Sequence, residues 1–148
     1  MEHGFTRQDW KSINTISAEG RLVSKLLEPV DYIARDGTHY RVPNFQSTDY
    51  ASTPSASWGP PLFLLPYGWW SLAVILHDSA FQNTLLIIQP DGSTAHLADL
   101  GEHESNDLLL EAMQSLKPAP NIGEREQMDT IYTGVALGGW HAFKDDRS

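Results

Sequence analysis

The spacing of hydrophobic and polar positions changes period several times along the chain, and each change predicts an element. Residues 1–20 are mostly polar, and Thr6 followed by Asp9 can open a short helix with Trp10, Ile13 and Ile16 at helical spacing; a loose arm is the alternative. From Arg21 the pattern turns to strands. Leu22–Leu27, Val30–Ala34 and His39–Val42 read as a meander, with Arg35-Asp36-Gly37-Thr38 as the turn before the third strand because Gly supplies a positive φ after Asp. Such a meander needs a helix on one face to be stable. Residues 44–61 form a long loop rich in Ser, Thr and Pro, a type of connection that tends to be functional or disordered.

A helix over residues 68–81 follows, with Trp69, Leu72, Ala73 and Leu76 on one face and Val74 and Ile75 widening it. A helix apolar nearly all round belongs at the centre of a core. Leu85–Gln89 and Thr94–Asp99, joined by Pro90-Asp91-Gly92-Ser93, read as a hairpin. Glu102–Leu116 is a helix with Leu108, Leu109, Ala112 and Met113 on its core face, stopped by Lys117-Pro118. A third helix is expected over Glu124–Phe143, and Lys144–Ser148 as a solvated tail. The whole is an α+β domain over residues 21–143, a small antiparallel strand meander against about three helices, preceded by the arm or short helix of residues 1–20.

Bulk properties narrow the function. The chain has 148 residues, enough for one domain and one core. Its net charge of −9 repels nucleic-acid phosphate and anionic lipid, and no run of Lys or Arg offers a local exception. With no cysteine there are no disulfides, thiolate metal sites or Cys nucleophile, which suits a reducing cytoplasm. The first residues lack a basic and then apolar leader, and the longest apolar run, Leu62–Leu76, is interrupted by Pro66, Tyr67, Gly68 and Ser71. A cytoplasmic protein with no membrane span and no nucleic-acid partner is therefore expected.

Three groups of residues have side chains suited to chemistry. His77 and Asp78 end the apolar helix; His77 is a candidate general base or metal ligand, with Asp78 to orient it or share the ion, and the alternative is a His favoured by the helix dipole beside an exposed Asp. Within the long loop, Asp49 could reach His77 and Ser52 could position a ligand, or both could cap local turns. His103, Asp107 and Glu111 recur every four residues on one helix face, which lies opposite the apolar stripe and reads better as solvated. No phosphate-cradling Gly loop, Gly-x-Ser-x-Gly elbow or His-Glu-x-x-His occurs, so no cofactor is named.

Taken in order, Leu26-Leu27-Glu28-Pro29, Tyr40-Arg41-Val42-Pro43, Phe45, Thr48-Asp49, Ala51-Ser52, Pro54, Ala73-Val74-Ile75-Leu76-His77-Asp78, Glu111-Ala112-Met113 and Tyr132 through Trp140 resemble a family of tailed-phage and prophage proteins, domain of unknown function 1353. The resemblance implies a small α+β domain of phage origin, and brings no established reaction. It groups Asp49, Ser52, His77 and Asp78. Two departures accompany it. The family's Tyr after the His-Asp pair is Phe81 here, and its Asp on the following helix is Asn106, with Asp107 one residue on and on another face. An amide is no general base and a weaker cation ligand than a carboxylate. Residues 82–101 are also longer than the family's connection. A looser likeness is to the helix pair of phospholipase A2, in which a His-Asp faces a carboxylate on the neighbouring helix, although the calcium loop and disulfides of those enzymes are missing. The expectation is a phage accessory protein that binds a host or phage protein, with His77, Asp78 and Asp49 as the catalytic candidates and Ser52, Asn106 and Asp107 as the binding ones. The alternative is a hydrolase or metal-binding domain built on the same His-Asp pair.

Overall fold

The computed structural model describes residues 3–7, 12–16, 22–43, 47–48 and 69–147. In chain order the strands are β1 (Gly4–Phe5), β2 (Ser12–Ile16), β3 (Leu22–Leu26), β4 (Val30–Ile33), β5 (His39–Val42), β6 (Ser47–Thr48), β7 (Leu86–Ile88) and β8 (Ala95–Leu97); the helices are α1 (Ser71–Phe81), α2 (Glu102–Leu116) and α3 (Ile122–Arg147). Five strands form one antiparallel sheet in the order β1-β4-β5-β7-β8, and three form a second in the order β2-β3-β6. With three helices beside the main sheet, this is an α+β domain, as the pattern implies.

Alternation along β4 and β5 decides what faces the helices. Val30 pairs with Val42 and Tyr32 with Tyr40, and all four side chains belong to the buried core. The turn between these strands forms where Asp-Gly predicts it. Gly37 has φ +91, Asp36 Oδ1 accepts from the Thr38 amide at 2.9 Å, and the Ala34 amide donates to the Thr38 carbonyl at 2.9 Å.

All eleven residues of α1 are buried. The helix is closed at its C-terminus by Asn83 at φ 59, with the Thr84 amide donating to the Ser79 carbonyl at 3.0 Å and the Asn83 amide to the Ala80 carbonyl at 3.2 Å. This is the Schellman arrangement, and Asn is one of the few residues that accept a left-handed conformation at low cost. Around α1 sit Leu109, Ala112 and Met113 of α2 and Met128 and Ile131 of α3. Each fully buried aliphatic side chain of this kind stabilises the fold by about 1.5–3 kcal/mol. At the start of α3, Asn121 and Glu124 exchange side-chain-to-amide bonds of 2.8 and 3.0 Å, a reciprocal cap. The Trp69 indole donates to Gln127 Oε1 at 2.9 Å and so ties the entry of α1 to α3.

Three local expectations are corrected. Residues 12–16 are a strand paired with Leu22–Leu26, and Gly4–Phe5 is another, where an arm or short helix is expected over residues 1–20. Ile13, Thr15 and Ile16 are β-branched, and pairing with the next strand, where Ile16 faces Leu22, outweighs their helix-compatible spacing. The meander also divides: β3 pairs with β2 and β6, never with β4. Glu28-Pro29 between β3 and β4 supplies no positive-φ residue for a tight hairpin. Finally, α3 continues to Arg147 through the expected tail, since no Gly or Pro follows Gly139.

On the sheet face away from the core, Asp31 accepts from Arg41 through Nε at 2.8 Å and Nη2 at 2.9 Å, and its Oδ2 lies 3.0 Å from His39 Nε2. Partial burial pushes the Asp31 carboxyl up, but the bonds from Arg41 and His39 outweigh it and hold it below the ordinary carboxylate range. A depressed folded-state value means that the stabilisation is present above the unfolded value, about pH 4, and is lost as pH falls through the folded one. Asp31→Asn is expected to cost roughly 1.5–3 kcal/mol at neutral pH. Urea unfolding at pH 7 and pH 3 should show the gap between variant and wild type closing on the acid side.

Candidate functional site

His77 sits one turn before the end of α1, with 1% of its surface exposed. Its Nε2 lies 3.0 Å from Oδ1 of Asn106, which projects from the first half of α2 and is itself buried. The Phe81 ring covers the imidazole, with centroids 4.1 Å apart and planes inclined by 42°. Helical spacing explains the contact, because residues four apart stack on one face. His77 Nδ1 is 3.8 Å from Asp78 Oδ1 and has no hydrogen-bond partner. The indole nitrogen of Trp70, seven residues earlier and so on a similar helix face, is likewise buried without one.

The amide at 106 determines what this imidazole can do. Asn offers both an acceptor and a donor, so it can satisfy Nε2 in either tautomer. A carboxylate there would only accept, would fix the proton on Nε2, and would supply the negative charge that stabilises an imidazolium. Asn106 supplies no such charge. Phe81 and Asn106, the two positions where the resemblance implies Tyr and Asp, thus flank the same ring: one presents an apolar ring, the other a neutral dipole.

Of the sequence candidates, the fold brings His77, Asp78 and Asn106 together. It leaves Asp107 out: that side chain is exposed, 3.4 Å from His103 Nε2, and accepts from the Tyr132 hydroxyl at 3.4 Å. Glu111, the third member of the row, has partners of its own on β4 and the turn after it. Its Oε1 accepts from the Tyr32 hydroxyl at 2.7 Å and from the Arg35 amide at 2.9 Å. The row is therefore split, and among the described residues no three His, Asp or Glu side chains converge as a metal site. Asp49 and Ser52 lie outside the described residues.

A second polar cluster escapes the sequence reading. Tyr32 has no exposed surface, and its hydroxyl also lies 2.9 Å from His3 Nε2. Burial first, and then the bond and charge of Glu111, push the Tyr32 hydroxyl well above its ordinary range, so it stays protonated and donates. Next to it, a groove of about 890 Å³ is lined by His3, Arg35, Gln114, Lys117, Arg125 and Asp129, among others. Its charges are partly matched within the protein, with Lys117 Nζ 2.9 Å from Glu124 Oε2 and Arg35 bonded to Gln114 at 3.0 Å. The signal available in the sequence was a lone Tyr at a core-facing strand position; Glu111 stood out only as a member of the row read as solvated.

Residues 24–133, from β3 into α3, match the family model described as "Protein of unknown function (DUF1353)". No curated protein and no solved structure matches the chain.

The His77–Asn106 bond should be measurable as a coupling. Asn106→Leu and His77→Leu are each expected to destabilise by about 1–3 kcal/mol, since each leaves a buried polar partner unsatisfied. The double variant should lose less than the sum by at least roughly 0.5 kcal/mol. Additive losses in urea unfolding would show that the two side chains do not depend on each other.

Proposed function

This chain belongs to the DUF1353 family of proteins of unknown function, and we propose that it is a phage accessory protein that acts in the host cytoplasm by binding a host or phage protein. The observation that carries the reading is the enclosure of His77 between Asn106 and Phe81, with 1% of its surface exposed. A general base must reach the proton it removes, and it gains from a carboxylate that stabilises its charged form. This imidazole has a neutral amide at Nε2 and an aromatic ring against it, and the Asp78 carboxylate beside Nδ1, 3.8 Å away, is itself enclosed in the core. In that setting it joins two helices. The net charge of −9 supports a protein partner over nucleic acid. Among the described residues, no helix is long and apolar enough to cross a membrane.

A second reading has one observation in its favour. His77 Nδ1 is unpartnered 3.8 Å from Asp78 Oδ1, on the helix that also buries the unpartnered Trp70 nitrogen. Native interiors seldom leave such atoms unsatisfied. A hydrolase or metal-binding domain would use Nδ1 as base or ligand, Asp78 and Asp49 as its carboxylates, and Ser52 to position the ligand. Calorimetry with calcium and with zinc separates the two readings. The binding reading expects no saturable heat from either ion and the same protein captured from host lysate by wild type and by a folded His77→Leu variant. Micromolar binding of either ion, lost in His77→Leu, would move the function to the second reading.

A further inference from the structure

The hairpin of β7 and β8 extends the main sheet beyond β5, and β8 is its last strand. All three β8 residues are exposed, Leu97 by 49%. The ladder shows which backbone groups remain unused. The Gln89 amide donates to the Thr94 carbonyl at 3.1 Å, the Ala98 amide donates to the Leu85 carbonyl at 2.8 Å, and Ile87 faces His96 in register. In an antiparallel pair, residues that bond to the partner alternate with residues whose N–H and C=O point the opposite way. Residues 94, 96 and 98 therefore bond toward β7. Ala95 and Leu97 point their backbone groups out of the sheet, where no further strand pairs among the described residues.

Natural edges are commonly blunted by a Lys, a Pro or a bulge. The segment Thr94-Ala95-His96-Leu97-Ala98 has no Lys and no Pro, and its register is unbroken. The side chains of Ala95 and Leu97 share a face with their cross-strand partners Ile88 and Leu86, both only half-buried, so the open edge also carries an apolar strip. The electrostatic setting is acidic along the chain, and the Arg41 side chain across the sheet, opposite Leu86, is already paired with Asp31. From Val42 to Leu116 the chain has eight acidic residues and no Lys or Arg. Asp91 lies in the turn before β8, and Asp99 and Glu102 follow it.

We infer that β8 is a docking edge that receives an extended segment of the partner protein as an additional strand. The segment's backbone would pair with Ala95 and Leu97, an apolar side chain would lie against Leu97, and Lys or Arg on either flank would face the acidic residues around the strand. This names the surface and the class of partner for the binding reading above and rests on it. A second copy of the chain fits less well, because edge-to-edge pairing would bring two molecules of net charge −9 together through their acidic stretches.

The probe is a synthetic peptide, Lys-Lys-Val-Thr-Val-Thr-Val-Lys-Lys, titrated into isotope-labelled full-length protein and followed by amide resonances. Saturable shifts centred on Ala95 and Leu97 are expected, weakening as salt is added. The same peptide with Glu for each Lys should not bind. Ala95→Pro removes an outward N–H and leaves the bonds to β7 intact, a position where sheets tolerate Pro. It should weaken the Lys peptide by at least about tenfold. Leu97→Lys, which adds a like charge to the edge without altering the backbone, should do the same and covers the case in which the Pro variant is poorly folded. The proposal is overturned if no shift appears at Ala95 and Leu97, if both variants bind the peptide as wild type does, or if sedimentation shows a dimer that Ala95→Pro abolishes. A lysate partner captured equally by wild type and both edge variants would sink the edge alone; the absence of any captured partner would sink the broader binding reading.

Discussion

A helix with no side facing water dictates terms to everything around it. α1 is enclosed along all eleven of its residues, between the sheet and the other two helices. Its apolar residues gain from that position, but Ser71, His77, Asp78 and Ser79 are enclosed as well. A buried polar group without a partner costs as much as several apolar contacts contribute. The neighbours are accordingly chosen to meet it: Thr84 Oγ1 lies 2.8 Å from the Ser79 hydroxyl, and Asn106 occupies a core-facing position of α2 where an aliphatic residue would otherwise fit. The position of α2 is thus set by one specific bond as well as by the contacts of Leu109 and Met113.

That requirement bears on how the two family departures are understood. Phe81 and Asn106 are 25 residues apart in sequence yet flank one ring. Replacing a carboxylate by an amide beside a buried imidazole removes a charge from the interior and with it a large desolvation cost. Replacing a Tyr by Phe removes a hydroxyl that would have needed its own partner. With Phe and Asn at these two positions the junction of α1 and α2 is less polar than Tyr and Asp of the same shape would make it.

Much of this was legible in the sequence because the deciding interactions are local. Asp36-Gly37 names its own turn, Lys117-Pro118 ends α2, and the unbroken apolar run of residues 72–76 announces a central helix. The second hairpin follows from two short apolar runs around Pro90-Asp91-Gly92. What was missed depends on partners that only the fold brings alongside. Ile13 and Ile16 fit a helix as well as a strand until Leu22–Leu26 is placed beside them. Tyr32 and Glu111 are ordinary residues until β4 and α2 meet. The site was half legible: the His-Asp pair stands out at the end of an apolar run, whereas Asn106 drew notice only because a resemblance expects Asp there. No periodicity distinguishes an amide that bonds an imidazole from one that faces water.

The enclosure of α1 also governs how the molecule meets solvent over time. Backbone amides exchange with deuterium only when an opening exposes them, and partial openings start at edges, ends and turns. Every face of α1 is covered, by elements that come from both halves of the chain, and its last turn is locked by Asn83 and Thr84. No small local opening frees it. The slowest-exchanging amides should therefore lie in this helix, and their protection should equal the free energy of unfolding the whole domain.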